Sequence, residues 1–252
     1  MEINLSGKTA LVTGGNDGIG RAIALGLARC GADVAITFFE NDRATTADEI
    51  RAMGRQAPGH YLDATNSDQV SQVFAQVAQE LGGHIDIIVN NAGHLVGRAP
   101  IADMSDEHWF KVINVNLTSC FYGCRAVLPY MNTGWGRIIN MSSLAARDGG
   151  GGGAVAYAAS KGGVMTFTRG LAKEVAPRGI TVNALAPGLI LGTPFHATFT
   201  PESSQQATIA RTPLARAGAP EDVANAVLYL ASDLALFLTG VTIDINGGLG
   251  FS

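Results

Sequence analysis

Near the start of the chain stands Thr9-Ala10-Leu11-Val12-Thr13-Gly14-Gly15-Asn16-Asp17-Gly18-Ile19-Gly20. Residues 9–13 are short, apolar and β-branched, the pattern of a strand buried on both faces. Residues 20–30 then carry a helical pattern. Glycines between a strand and a helix let the chain turn tightly and bring its backbone close to a neighbour. A helix N-terminus at that point offers N–H groups and the positive end of its dipole, the geometry that seats a pyrophosphate. A plain βα turn is the bland alternative. The strand–helix setting favours dinucleotide binding through Gly14, Asn16, Asp17, Gly18, Ile19 and Gly20.

The same alternation continues outward. Strands read at 34–38, 60–62, 85–89, 137–141, 180–184 and 241–245, and helices at 43–53, 68–81, 106–131, 155–175 and 221–231. Short apolar strands alternating with longer helices predict an α/β fold: one doubly wound, Rossmann-type parallel sheet with helices on both faces, as a single domain over 1–252. Right-handed crossovers place every βα loop on one sheet edge. Two segments break the rhythm. Residues 149–153 are five consecutive glycines, and 189–211 lack strand character and read as a substrate-binding lid.

Bulk properties exclude several classes. With 252 residues, 47% hydrophobic and 15% charged, the chain is long and apolar enough for a sizeable core. A net charge of −4 without a basic run argues against nucleic acid. No apolar run approaches membrane-spanning length and no signal-peptide pattern opens the chain, so a soluble, cytoplasmic protein is expected. Cys30, Cys120 and Cys124 form no C-x-x-C pair and read as small buried hydrophobes. The histidines are scattered, so no catalytic metal is expected.

Tyr157-Ala158-Ala159-Ser160-Lys161 carries the chemistry. The i, i+4 spacing puts phenol and ammonium on one helix face. A nearby ammonium favours the phenolate, so Lys161 is expected to lower the Tyr157 pKa and let it exchange a proton near neutral pH.

Taken together, Thr13-Gly14-x-x-x-Gly18-x-Gly20, Asn90-Asn91-Ala92-Gly93, Asn116, Ser143, Tyr157-x-x-x-Lys161 and Pro187-Gly188 resemble the short-chain dehydrogenase/reductase family over essentially the whole length. The resemblance implies NAD(H) or NADP(H) and reversible hydride transfer between nicotinamide and a carbonyl or alcohol. It implies that Tyr157 is the general acid in reduction and the base in oxidation. It further implies that Lys161 holds the nicotinamide ribose, Ser143 polarises the substrate oxygen, and Asn116 holds a helix kink and a proton-relay water. Ser142 and Asn114 are expected to be structural.

By the same resemblance Asn90, Ala92 and Gly93 flank the adenosine side, Asp63 and Ala64 meet the adenine, and Pro187, Gly188, Ile190 and Thr193 close over the nicotinamide. An Asx-turn remains the alternative for Asp63. Three features depart from the family pattern. Ser143 and Tyr157 are 14 apart, one more than usual; Thr193 stands one residue further from Pro187-Gly188; and Asn246-Gly247-Gly248 replaces a frequent Asp-Gly-Gly.

Phe38 occupies the position where NAD-specific relatives carry Asp, and Asp17 the position where NADP-specific relatives carry a base. Asp17, Glu40 and Asp42 outweigh Arg43, a balance that leans to NAD(H). The 195–201 stretch mixes aromatics with hydrogen-bonding groups and suits a small polar substrate: a sugar, keto acid or uronate derivative. His196 is read as a substrate contact, and His94 as a residue that could line the pocket. Arg147 reads either as a partner for a substrate carboxylate or as a surface arginine. A 3-oxoacyl-thioester reductase is the alternative enzyme, and a non-catalytic dinucleotide-binding sensor the alternative of another class. The resemblance also implies a homotetramer.

Overall fold

Seven strands form one parallel sheet: β1 (Thr9–Val12), β2 (Asp33–Phe38), β3 (Gly59–Tyr61), β4 (Ile87–Asn90), β5 (Gly136–Met141), β6 (Ile180–Pro187) and β7 (Thr242–Ile245). A computed structural model of the chain describes residues 3–39 and 45–251. The strand order is β3-β2-β1-β4-β5-β6-β7. The order reverses between β1 and β4, which pair through Leu11 and Ile88 and through Val12 and Val89. A crevice opens beyond the strand ends at such a reversal.

The helices are α1 (Gly18–Arg29), α2 (Thr45–Ala52), α3 (Ser67–Glu80), α4 (Asp106–Ile113), α5 (Ser119–Val127), α6 (Ala145–Asp148), α7 (Val155–Val175), α8 (Pro194–Phe199), α9 (Glu202–Arg211) and α10 (Pro220–Ala231). Alternate strand residues feed two cores. Ala10, Val12, Ile87 and Val89 pack with Ile23 and Leu27 of α1 and with Val227 and Leu230 of α10. Leu11, Ile88 and Ile138 pack with Phe74 of α3, Cys124 of α5, and Val164 and Leu171 of α7. Strict alternation with both faces covered is why these strands read as unbroken apolar runs. Cys120 and Cys124 are buried, as expected for small hydrophobes. Among the described residues no helix is long and apolar enough to cross a membrane.

The structure corrects three element readings. The helix expected over 106–131 is interrupted by a π-helical turn, Asn114–Thr118, and ends in a 3-10 turn, Leu128–Tyr130, that contains Pro129. The buried Asn116 amide donates to the Val112 carbonyl at 2.9 Å and to the His94 carbonyl at 2.8 Å. An extra residue in the turn lets the side chain take over a backbone partner. The strand expected at 85–89 is seen as Ile87–Asn90, preceded by Asp86, whose amide donates to the Thr9 carbonyl at 3.0 Å and whose carboxylate accepts from the Thr9 amide at 3.0 Å. The lid at 189–211 is largely helical, with Pro201 separating α8 from α9. The helix expected at 43–53 is seen as Thr45–Ala52, residues 43 and 44 lying outside the described segment.

Candidate active site

At the switch point lies a cleft of about 1430 Å³, reaching from Phe38 and Asp63 at one end to Phe195 and Arg211 at the other. The glycine loop forms its floor. Gly14 and Gly18 adopt positive φ, +62° and +49°, which only glycine takes without cost. A Cβ on Gly20 would stand 2.0 Å from the Gly14 carbonyl oxygen. Thr37 ties the loop to β2, its carbonyl accepting from the Gly15 amide at 2.9 Å. Gly18, Ile19 and Gly20 line the cleft at the start of α1, as do Asn16 and Asp17.

The turn after β4 is stitched to this loop. Thr13 Oγ1 accepts from the amides of Asn91 and Ala92, each at 3.0 Å, and Asn91 Nδ2 donates to the carbonyls of Thr13 and Gly14 at 3.0 and 3.1 Å. Thr13 and Asn91, both within the motifs quoted from the sequence, thus hold the loop and the turn together. Asn90 is buried, and its side-chain amide ties β4 to β5, donating to Asn140 Oδ1 at 2.9 Å and to Cys124 Sγ at 3.2 Å. Ala92 and Gly93 do line the cleft. A Cβ on Gly93 would lie 2.8 Å from Asn116 Oδ1 and 3.0 Å from Lys161 Nζ, so this wall accepts a ligand only while it stays bare.

Asp63 and Ala64 line the cleft, as do Phe38 and Phe39. The Asp63 carboxylate accepts from the Thr65 amide and hydroxyl at 2.9 and 2.7 Å, which is the Asx-turn alternative. Phe39 is exposed and stacks on Tyr61 at 5.7 Å. Of the charges weighed for cofactor choice, Glu40, Asp42 and Arg43 lie outside the described residues.

The central cluster joins β5, α7 and the π turn. The Tyr157 and Ser143 side chains line the cleft together, and Ser143 Oγ accepts from the Ala145 amide at 3.1 Å. Lys161 Nζ donates to the Met141 carbonyl at 2.9 Å and lies 5.6 Å from the Tyr157 ring centroid. Ser142 Oγ donates to the Lys161 carbonyl at 2.8 Å, the structural role expected of it, and Asn114 Oδ1 accepts from Thr118 on an exposed helix face. The expected direction of the Tyr157 shift is corrected. Burial pushes the phenol up to about 12, with the Ser143 side chain opposing, and burial pushes the Lys161 ammonium down to about 8. Desolvation is the largest influence on both groups. The pair is therefore set with the proton on the phenol, as a proton donor requires.

On the substrate side, Arg147 lines the cleft. Its guanidinium pairs with Asp244 at 3.4 Å, linking α6 to β7. Pro187 ends β6 and its carbonyl accepts from the Leu144 amide; a Cβ on Gly188 would stand 2.9 Å from Asn246 Cβ. The Ile190 side chain belongs to the hydrophobic core, so this residue contributes backbone to the cleft. Thr193 caps α8, accepting from the His196 amide, and faces Gly18. His196 Nδ1 is 2.9 Å from Thr200 Oγ1; burial pushes its imidazole below the ordinary value, a hydrogen bond to the Gly188 backbone opposing and the Arg98 charge adding. Phe195, within the aromatic and polar stretch expected over the substrate, places its ring 5.8 Å from that of Tyr157. Among the described residues no group of His, Cys, Asp and Glu could hold a metal.

A glycine loop at the switch point of a parallel sheet, facing a Ser–Tyr–Lys cluster, defines a nicotinamide-dependent oxidoreductase. The chain belongs to the short-chain dehydrogenase/reductase family. A family profile described as enoyl-(acyl carrier protein) reductase matches residues 14–250. The 3-oxoacyl-(acyl-carrier-protein) reductase of Pseudomonas aeruginosa is 42% identical, over 99% of this chain and 100% of its own. A glucose/ribitol dehydrogenase of the family from Brucella melitensis superposes with a TM-score of 0.90 at 33% identity, covering all of both chains. A short-chain dehydrogenase from Burkholderia cenocepacia in complex with NADP does so with 0.91 at 33% identity, over 98% of this chain and 99% of that one. The protein is an NAD(P)-dependent oxidoreductase acting between carbonyl and alcohol.

Proposed function

We propose that the protein reduces the carbonyl of a small polar substrate, with Tyr157 as proton donor. The gathering of Ser143, Tyr157 and Lys161 in one cleft, with the Lys161 ammonium 5.6 Å from the Tyr157 ring centroid, carries this reading. The nicotinamide, when bound, supplies or accepts the hydride. Ser143 and Tyr157 hold the substrate oxygen between two hydroxyls, and the phenol passes its proton to that oxygen as charge develops. Lys161, fixed by Met141, would hold the ribose hydroxyls and offset the negative charge left on the Tyr157 oxygen. Asn116 holds the π turn and the Gly93–His94 backbone, so the wall opposite Lys161 keeps its shape. The glycine loop and the start of α1 would hold the pyrophosphate, and Pro187, Gly188 and Thr193 would bound the carboxamide side.

His196, Thr198, Thr200, Thr208 and Arg211 on the lid side of the cleft support a polar substrate such as a sugar, keto acid or uronate derivative. The Pseudomonas relative supports a second reading, reduction of a 3-oxoacyl thioester. Cofactor choice divides similarly. Asp17 beside the glycine loop disfavours a 2′-phosphate, whereas the Burkholderia relative was solved with NADP, and the lean to NAD(H) finds no support in the relatives. Nicotinamide absorbance assays with NADH and NADPH, on polar carbonyls and an acetoacetyl thioester, separate these readings. Turnover of the thioester alone refutes the polar substrate, and Tyr157→Phe with unchanged biological activity refutes catalysis in favour of a dinucleotide sensor.

A homotetramer is part of the proposal. Two separate apolar patches support it: Phe110, Phe121 and Val155 on α4, α5 and α7, and Leu234, Leu236 and the fully exposed Phe237 before β7. Two self-complementary patches on one chain are what dihedral tetramers use.

A further inference from the structure

The five-glycine run and the loop after Gly93 have no part in the chemistry above, yet they meet at the lid. A Cβ on Gly151 would stand 3.2 Å from Arg98 Nη1, and one on Gly153 would stand 3.0 Å from both Arg98 Cβ and the Ala99 amide nitrogen. The run is bare where Arg98 lies across it. From that bed the guanidinium donates to the Gly152 carbonyl at 2.9 Å and reaches the carbonyl of Phe199, the last residue of α8, at 3.5 Å. His94 adds a second hold, its ring meeting Phe199 edge-on at 5.0 Å. The His94 ring is itself fixed: Nδ1 accepts from the Val96 amide at 2.9 Å. Val96 makes that bond from φ +68°, a conformation a β-branched residue adopts only when its surroundings impose it. The His94 backbone is clamped at both ends to the Asn116 amide, through its N–H at 3.1 Å and its carbonyl at 2.8 Å. Phe199 in turn packs on Phe195 at 5.4 Å, and Phe195 on Tyr157.

We propose that Arg98 and His94 are positioning residues that hold α8 closed, so that Phe195 forms the wall against which the substrate meets Tyr157. This rests on the oxidoreductase reading for its kinetic consequence, though not for the closure itself. The strap runs from the catalytic cluster to the lid without touching the reacting atoms, so it acts on substrate retention and orientation.

The test combines kinetics on ethyl acetoacetate with hydrogen–deuterium exchange of the amides at 194–200, in wild type, Arg98→Ala, Arg98→Lys and His94→Leu. Arg98→Ala is expected to raise KM about tenfold, the effect of losing one charge-assisted hydrogen bond, with kcat changed by less than about threefold. Exchange at 194–200 should accelerate by a similar factor, with the sheet amides unmoved. Arg98→Lys keeps the charge but reaches one carbonyl rather than two, and should fall between; His94→Leu should resemble Arg98→Ala. Unchanged exchange at 194–200 in Arg98→Ala overturns the proposal, as does faster exchange with both KM and kcat unmoved. A wild type that turns over no carbonyl overturns the oxidoreductase reading instead, and the exchange rates alone then judge the strap.

Discussion

At the residue scale, Tyr157 and Lys161 are displaced in opposite directions by the same cause. Burial holds the phenol neutral to about 12 and strips the ammonium of its proton near 8. Both shifts are visible in stability. Between pH 8 and 10.5 the unfolded Lys161 binds more protons than the folded one, so its contribution to stability rises with pH, by roughly 3 kcal/mol over the window. Between 10 and 12 the folded Tyr157 keeps a proton that the unfolded chain loses, so its contribution falls as pH rises. Urea denaturation across pH 7–11 should show Lys161→Met abolishing the rise and Tyr157→Phe abolishing the fall; a pH-independent difference from wild type in either variant refutes the assignment. In assays, Tyr157→Phe should lower kcat by about 10²- to 10⁴-fold, the span of a lost general acid, while dinucleotide binding followed by fluorescence titration is retained.

At the element scale, the π turn and the glycine loop set the site. Asn116 makes three hydrogen bonds that no other residue type could supply together, one within its own helix and two across to His94. Asn116→Ala should therefore destabilise the fold by about 2–4 kcal/mol, about one per bond lost plus the exposed carbonyls, read from the urea midpoint at constant m. Gly20→Ala tests the loop. Its new Cβ collides with a backbone oxygen held by Asn91, so the loop must move, at a cost of at least about 2 kcal/mol and with loss of dinucleotide affinity. Normal dinucleotide binding by the Gly20→Ala variant would show that the glycine loop is not the pyrophosphate seat.

At the scale of the whole molecule, light scattering should give about four times the 26.1 kDa chain mass, and substituting Phe237 by Asp should lower it; a monomer mass for the wild type refutes the assembly. The architecture needed little beyond the chain itself. Strands buried on both faces carry their own period, glycine at the β1–α1 junction is demanded by a backbone collision, and Tyr157 and Lys161 meet because a helix brings i and i+4 together, so these local regularities were legible from residues alone. The bonds of Asn116 to His94, the partners of the buried Asn90 amide, the pairing of Arg147 with Asp244, the upward shift of Tyr157 and the strap of Arg98 on the glycine run were not. Each depends on partners 22 to 101 positions away, or on burial. Spacing along a chain reports which face a side chain occupies, whereas the charge it keeps and the partner it finds are set by what the fold packs against that face.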